Sequence, residues 1–142
     1  FPDEYRITPQ TIMRNFQDTW SLRVGGETWL ELGSYQIDLR AGVMYEKSAV
    51  PREYLSTLTI DLDKIVVGLG GSVHVTPTWR IDWMLARTFT TPVDVSPDEA
   101  KFEMLTPVRA NKPDPALRDY VNAGRYEANA TLLGVGLAVN YL

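Results

Sequence analysis

The sequence predicts an all-β fold, an antiparallel transmembrane β-barrel to which these residues contribute about five strands. Three observations predict it. Five segments alternate between apolar and polar residues with the two-residue period of a strand. No run of about eighteen apolar residues, which a membrane helix needs, is present. Aromatic residues recur at the ends of the alternating segments, as they do where barrels cross the two membrane interfaces.

Composition excludes several classes of function. The 142 residues contain no Cys, which removes disulfides, thiol nucleophiles and Cys-based zinc sites. The net charge of -4 comes from interspersed acidic and basic residues, so there is no basic stripe for nucleic acid. His74 is the single His and has no second ligand in phase. We therefore expect no enzyme activity, no metal, no cofactor and no nucleic-acid partner.

The first two strands are predicted over 18–32 and 35–47. In the first, Trp20, Leu22 and Val24 share one face, whereas Arg23 and Glu27 lie on the other. In the second, every charged residue from 35 to 46 lies on a single face. A one-residue slip would turn these charges toward lipid, where a basic residue near the midplane costs about 2–4 kcal/mol. The register is therefore well determined.

The remaining strands are predicted over 62–76, 79–90 and 126–142. The last alternates Leu133, Val135, Leu137, Val139 and Tyr141 with Gly134, Gly136, Ala138 and Asn140. Arg87 is an exception to the separation of charged and apolar residues, since it falls on the apolar face of the fourth strand. Two explanations stay open, a side chain that reaches back to the membrane interface or a β-bulge that shifts the phase.

The connections assign the two sides of the membrane. Short turns at 33–34 and 76–78 alternate with longer connections at 1–17, 47–61 and 91–125. Barrels of this kind have short periplasmic turns and long extracellular loops. On the apolar face the aromatic residues then form two predicted girdles, an extracellular one of Trp20, Tyr45 and Phe89 and a periplasmic one of Tyr35, Trp79 and Tyr141. The acidic residues of 91–125 could bind divalent cations or ions that bridge lipopolysaccharide, but their irregular spacing among Lys and Arg residues favours a solvated loop.

The polar face supplies the candidate ligand-facing residues of the lumen, namely Arg23, Glu27, Asp38, Arg40, Met44, Arg80, Asp82 and Met84. Glu46 and Lys64 carry further charges on this face. Opposite charges on neighbouring strands predict a ladder of ion pairs that stiffens the wall. The alternative is that an Arg neutralises the carboxylate of a ligand while the two Met side chains line an adaptable apolar path.

Several stretches resemble the C-terminal third of the FadL family of outer-membrane transporters, which includes TodX-type proteins. The matching pieces are Asp18-Thr19-Trp20, Arg40-Ala41-Gly42-Val43 with Tyr45, Ser48-Ala49-Val50-Pro51, Asp61-Leu62-Asp63, Gly68-Leu69-Gly70 and Gly134-Val135-Gly136-Leu137 with Asn140-Tyr141. They cover nearly the whole chain in the correct order. The resemblance implies a barrel of about fourteen strands, of which 1–142 would be the C-terminal part of a single domain. It also implies an aromatic residue just beyond Leu142.

The resemblance further implies a function, a location and partners. The function is passive uptake of hydrophobic compounds, such as long-chain fatty acids or aromatic hydrocarbons, across the bacterial outer membrane, with Ser48, Ala49, Val50 and Pro51 contributing to an outer vestibule. The expected partners are outer-membrane lipid and lipopolysaccharide, a hydrophobic small molecule, and barrel strands from the same or another chain. The competing interpretation is a barrel that anchors or docks other outer-membrane proteins, and a soluble β-sandwich enzyme is a third.

Overall fold

The computed structural model describes residues 12–103 and 120–140. Within this part of the chain, the main sheet has five strands, and each neighbouring pair is antiparallel. In their order across the sheet, the strands are β1 (Ser21–Leu32), β2 (Tyr35–Glu46), β3 (Lys64–His74), β4 (Trp79–Thr90) and β7 (Ala130–Val139). This all-β, antiparallel architecture confirms the predicted fold class. No helix of the described residues is long and apolar enough to cross a membrane.

The sheet keeps one register from β1 to β7, so its two faces are uniform. Cross-strand partners lie on the same face, because side chains alternate along every strand. One row on the apolar face runs through Gly26, Ala41, Leu69, Leu85 and Leu133. The neighbouring row on the polar face runs through Glu27, Arg40, Gly70, Met84 and Gly134. The alternation in the sequence therefore becomes a separation of polarity in space.

Short turns join the strand pairs at one end of the sheet. Gly33 has a φ of +64°, a left-handed conformation that favours glycine, and it allows β1 to turn directly into β2. Between β3 and β4, the amide of Trp79 donates to the hydroxyl of Thr76 at 3.0 Å. In the described residues β1 and β7 each have one paired edge, so their outer edges are free within this sheet.

The chain contacts define two compact units, of which the sheet with residues 19–48, 62–91 and 127–140 is one. The described residues of the other come from 12–18, 49–61, 92–103 and 120–126. This second unit contains a 3-10 helix (Arg52–Tyr54) and a two-stranded sheet of β5 (Val93–Val95) and β6 (Gly124–Tyr126). Its buried apolar side chains are Val50, Leu55, Val95, Ala100, Phe102 and Tyr126.

The second unit corrects the expectation for 91–125. The described acidic residues of this segment are exposed, as expected, but the segment also contributes β5, part of β6 and three of the six buried apolar side chains, Val95, Ala100 and Phe102. The predicted fifth strand is also divided. Tyr126 pairs with Val93 in the small sheet, and the long strand β7 begins only at Ala130. The polar character of Glu127 and Asn129 separates the two, and both side chains are exposed.

Candidate functional site

The structure brings the eight candidate lumen residues onto one face of the main sheet. Register pairs Arg23 with Met44 and Glu27 with Arg40. Ser72 lies between Asp38 on β2 and Asp82 on β4. The remaining two, Arg80 and Met84, alternate with Asp82 along β4 and therefore share its face. Trp29, which the sequence analysis did not single out, lies opposite Asp38 on this same face.

Carboxylates accompany the strand cations on this polar face. Arg80 forms a two-point contact with Asp82, with Nε to Oδ1 at 2.9 Å and Nη2 to Oδ2 at 3.1 Å. Arg40 Nε donates to Glu27 Oε2 at 3.1 Å. Glu46 lies 2.5 Å from Lys64 Nζ and 3.9 Å from Arg23 Nη2. These contacts have the geometry of the ion-pair ladder, and each of the four strand cations, Arg23, Arg40, Lys64 and Arg80, has a carboxylate within 4 Å.

His74 adds a polar contact near the short-turn end of this face. Its Nε2 atom lies 2.9 Å from Asp38 Oδ2, and Gln36 Nε2 donates to the other carboxylate oxygen of Asp38 at 3.1 Å. Within the described residues, no group of three or more His, Asp or Glu side chains could hold a metal ion. The contact thus ties β2 to β3 through side chains as well as backbone.

Glycines leave open surface in the middle of the polar face. One row consists of Gly25, Gly42, Gly68, Ala86 and Leu132. A Cβ atom added at Gly68 would meet nothing within 4 Å. At Gly134 the space is already used, because such an atom would lie 2.7 Å from Met84 Cγ. The polar face therefore has a central row of small residues, and Met84 on β4 packs over Gly134 on β7.

The apolar face has aromatic side chains at both ends of the strands. Toward the long connections, the Trp20 and Tyr45 rings lie 5.1 Å apart, and Phe89 follows in the row of Tyr45 and Ile65. At the short-turn end, Tyr35 pairs with Leu32 and Trp79 with Val139. Tyr141 lies outside the described residues. The face between these aromatic rows is mainly aliphatic, with Trp83 between Gly71 and Val135, and it is exposed, with Leu133 and Val135 each 78% accessible.

Arg87 is on the apolar face, and the structure settles between the two explanations for it. Pairing with Val67 on one side and Thr131 on the other is continuous, so no bulge shifts the phase of β4. Its Nη1 atom donates to the hydroxyl of Thr131, and its guanidinium lies 5.5 Å from the centre of the Phe89 ring. The side chain is thus held on the apolar face next to the aromatic row.

The segment Ser48 to Pro51 is fixed by acidic residues that the sequence analysis assigned no role. In the sheet unit, Asp63 Oδ1 accepts the amide of Ser48 at 2.8 Å, and Asp63 Oδ2 accepts the Tyr45 hydroxyl at 3.2 Å. In the second unit, Asp61 Oδ2 accepts the amide of Ala49 at 2.8 Å. The side chains of Ser48 and Val50 are buried, and Pro51 precedes the 3-10 helix. The signal in the sequence was the Asp-Leu-Asp spacing at the start of the third strand.

Asn122 organises the second unit, and no signal in the sequence marked it. Its side chain is 1% exposed and contacts two distant backbone groups. Oδ1 accepts the amide of Phe102 at 3.0 Å, and Nδ2 donates to the carbonyl of Glu53 at 2.8 Å. The Asn122 carbonyl in turn accepts the Tyr126 hydroxyl at 2.9 Å. One amide thereby joins three separate segments of the chain.

Comparison with known proteins identifies a family. A family model described as "Outer membrane protein transport protein (OMPP1/FadL/TodX)" matches residues 4–141. No curated protein and no solved structure gives a significant match. The family model covers nearly all of the 142 residues, including both units of the structure.

Proposed function

We propose, from the premise that the chain belongs to the OMPP1/FadL/TodX family of outer-membrane transport proteins, that it forms part of a channel for passive uptake of hydrophobic compounds. Long-chain fatty acids and aromatic hydrocarbons are the candidate substrates. The protein is located in the bacterial outer membrane, as its family is. The observation that carries the proposal is the separation of the main sheet into one apolar face and one face of paired charges and glycine.

The two faces suit two different surroundings. Exposed Leu and Val side chains on one face need lipid, because water contact on this scale is unfavourable. The other face needs an aqueous or ligand-filled interior, because its charged side chains are tolerated only away from hydrocarbon. The free edges of β1 and β7 also need partners, because unpaired backbone groups are costly in a membrane. Further barrel strands, from the same or another chain, would satisfy them.

The ion pairs on the polar face bear on the choice between charged fatty acids and uncharged hydrocarbons as substrates. Arg23, Arg40, Lys64 and Arg80 all lie within 4 Å of a carboxylate. A ligand carboxylate would have to compete with these partners, whereas an uncharged hydrocarbon would not. The pairing favours uncharged ligands along this part of the wall, with Met84 and Trp29 as apolar contacts.

A steric block of the polar face tests the proposal. Gly68→Trp places an indole in the open central band, and Gly26→Trp places the same group on the apolar face, where a Cβ atom also meets nothing within 4 Å. We expect Gly68→Trp to lower the initial uptake of a labelled alkylbenzene or fatty acid on the order of tenfold, since pore width limits permeation. Gly26→Trp should leave uptake near wild type. Equal uptake by both variants, at equal amounts of folded protein in the outer membrane, would reject transport along this face.

The second candidate function is docking of another outer-membrane protein. The observation that favours it is the exposed apolar surface of the second unit, where Met13, Phe16 and Leu58 are each more than 60% accessible. Cross-linking of the full protein in intact cells distinguishes the functions. A single specific partner, captured in wild type and lost in Phe16→Ser with uptake unchanged, would support docking; capture of no partner, together with uptake, would support transport.

A further inference from the structure

Arg87 is the one charged side chain on the apolar face of the five described strands. The other residues in its row are Val24, Val43, Val67 and Thr131. An Arg on this face faces lipid, where its cost depends on depth and falls from about 2–4 kcal/mol at the midplane to about 0–1 near an interface. The depth of Arg87 in the membrane therefore decides whether its charge destabilises the protein or can contact a polar group of the lipid at little cost.

The register places Arg87 close to the extracellular interface. It is two residues from Phe89 along β4, about 7 Å along the strand and less along the membrane normal because barrel strands are tilted. Phe89 belongs to the aromatic row at the end of the long connections, which is the extracellular end in outer-membrane barrels. The guanidinium lies 5.5 Å from the centre of the Phe89 ring, so the side chain extends along the face toward this interface.

The partners of Arg87 differ from those of the cations on the opposite face. Arg23, Arg40, Lys64 and Arg80 contact carboxylates. Arg87 instead contacts two neutral groups, the Thr131 hydroxyl and the Phe89 ring. No carboxylate of the described residues lies within ion-pair distance of it. A guanidinium has five donors, and the contact with Thr131 uses one nitrogen.

We propose that Arg87 binds a phosphate group of the outer-leaflet glycolipid, the lipid A portion of lipopolysaccharide. A planar guanidinium matches the oxygens of a phosphate and forms short, charge-assisted hydrogen bonds with it. Thr131 and Phe89 hold the side chain in place, which lowers the entropy lost on binding. The proposal rests on the location of the protein in the outer membrane and does not require that it transports anything.

Binding of lipid A to the full purified protein tests the proposal by native mass spectrometry. The probes are bis-phosphorylated lipid A and the same lipid without its phosphates. We expect Arg87→Gln to bind the phosphorylated lipid about tenfold more weakly than wild type, the loss expected for one charge-assisted hydrogen bond. Arg87→Lys should keep most of the affinity. The dephosphorylated lipid should bind wild type and Arg87→Gln equally weakly.

Arg23→Gln is the matched control, because it removes the same charge from the opposite face at a similar height, beside Met44 in the neighbouring row. It should bind phosphorylated lipid A as wild type does. The proposal is overturned if Arg87→Gln keeps wild-type affinity, if Arg23→Gln loses as much, or if removing the phosphates changes nothing.

A second measurement needs no variant and so does not depend on folding of Arg87→Gln. Phenylglyoxal modifies accessible arginines, and peptide mass spectrometry reports the extent at Arg87. Phosphorylated lipid A should protect Arg87 in the wild-type protein and leave Arg23 unprotected. Equal modification of Arg87 with phosphorylated and dephosphorylated lipid would contradict the proposal.

Discussion

The two compact units of this chain are stabilised in different ways. In the main sheet Leu133 and Val135 are 78% exposed, whereas in the second unit Leu55 is 1% and Phe102 is 5% exposed. The second unit buries its own apolar side chains, as a small water-soluble fold does. The sheet buries few, and we expect lipid to cover its apolar face. The comparison shows that segments with an exposed apolar face, suited to lipid, can alternate along one chain with segments that bury their apolar side chains, as in water.

Hydrogen bonding follows the same division. The sheet satisfies its backbone through long ladders between neighbouring strands, which is the solution that hydrocarbon requires. In its described residues the second unit has only three-residue strands, β5 and β6, and side chains such as Asn122 pair backbone groups there. Loss of one side chain should therefore matter more in the second unit, unless the change introduces charge on the lipid face.

The largest expected effect comes from a charge at the centre of the apolar face. Leu69→Arg should destabilise the folded protein by about 2–4 kcal/mol in lipid vesicles, because its row is the middle of the aliphatic band. Val66→Arg is the control, since Val66 lies on the polar face of the same strand between Met44 and Thr88. Urea unfolding in vesicles measures both. Equal destabilisation by the two variants would mean that the faces do not differ in their surroundings.

A smaller and more local effect is expected in the second unit. Asn122→Ala leaves the Phe102 amide and the Glu53 carbonyl without this partner, and each buried unsatisfied group costs about 1–3 kcal/mol. Hydrogen exchange should rise sharply in 92–103 while the strands of the main sheet keep their protection. Asn129→Ala also removes an amide oxygen that accepts a backbone N–H, that of Thr90 at 3.2 Å, but this contact is exposed, so water can replace it and the variant should change little. Loss of protection in the main sheet as well would show that the two units do not unfold separately.

The smallest effect expected is a loosening of the second unit in alkali. Burial raises the pKa of Tyr126 above its usual value of about 10. Since the pKa is higher in the folded state, this stabilisation is complete below the unfolded pKa and is lost as pH rises through the folded pKa. The protection factors of the amides in 120–126, which correct for the base-catalysed rise of intrinsic exchange, should fall above about pH 10. Tyr126→Phe should remove this dependence, and an unchanged alkaline response in that variant would assign it to another group.

The sequence predicts the main sheet well because its information is local. Alternation between neighbouring residues, such as Asp38 and Leu39, reports the two faces of a strand directly. The core of the second unit is not local, since Asn122 contacts Glu53 across 69 residues. Nothing near Asn122 in the sequence distinguishes it from a solvated Asn. The division of the last predicted strand at Tyr126 was missed for the same reason, because its partner is Val93.

For the polar face of the sheet, too, the sequence predicts less than the structure shows. Alternation placed Arg40 and Glu27 on one face, but their contact depends on the register between β1 and β2. The sequence therefore predicted which residues share the wall, and it left open how they pair. It also identified Arg87 as an exception without finding its contacts with Thr131 and Phe89.

Site-directed spin labelling of β2 tests the central claim, that one face of the sheet contacts lipid and the other does not. The chain has no Cys, so single Cys substitutions from Tyr35 to Glu46 can each carry a label in the full protein in vesicles. Collisions with oxygen, which concentrates in hydrocarbon, should peak at 37, 39, 41 and 43. Collisions with a water-soluble nickel chelate should peak at 36, 38, 40 and 42. A profile without this two-residue period, or with the two phases exchanged, would contradict the account.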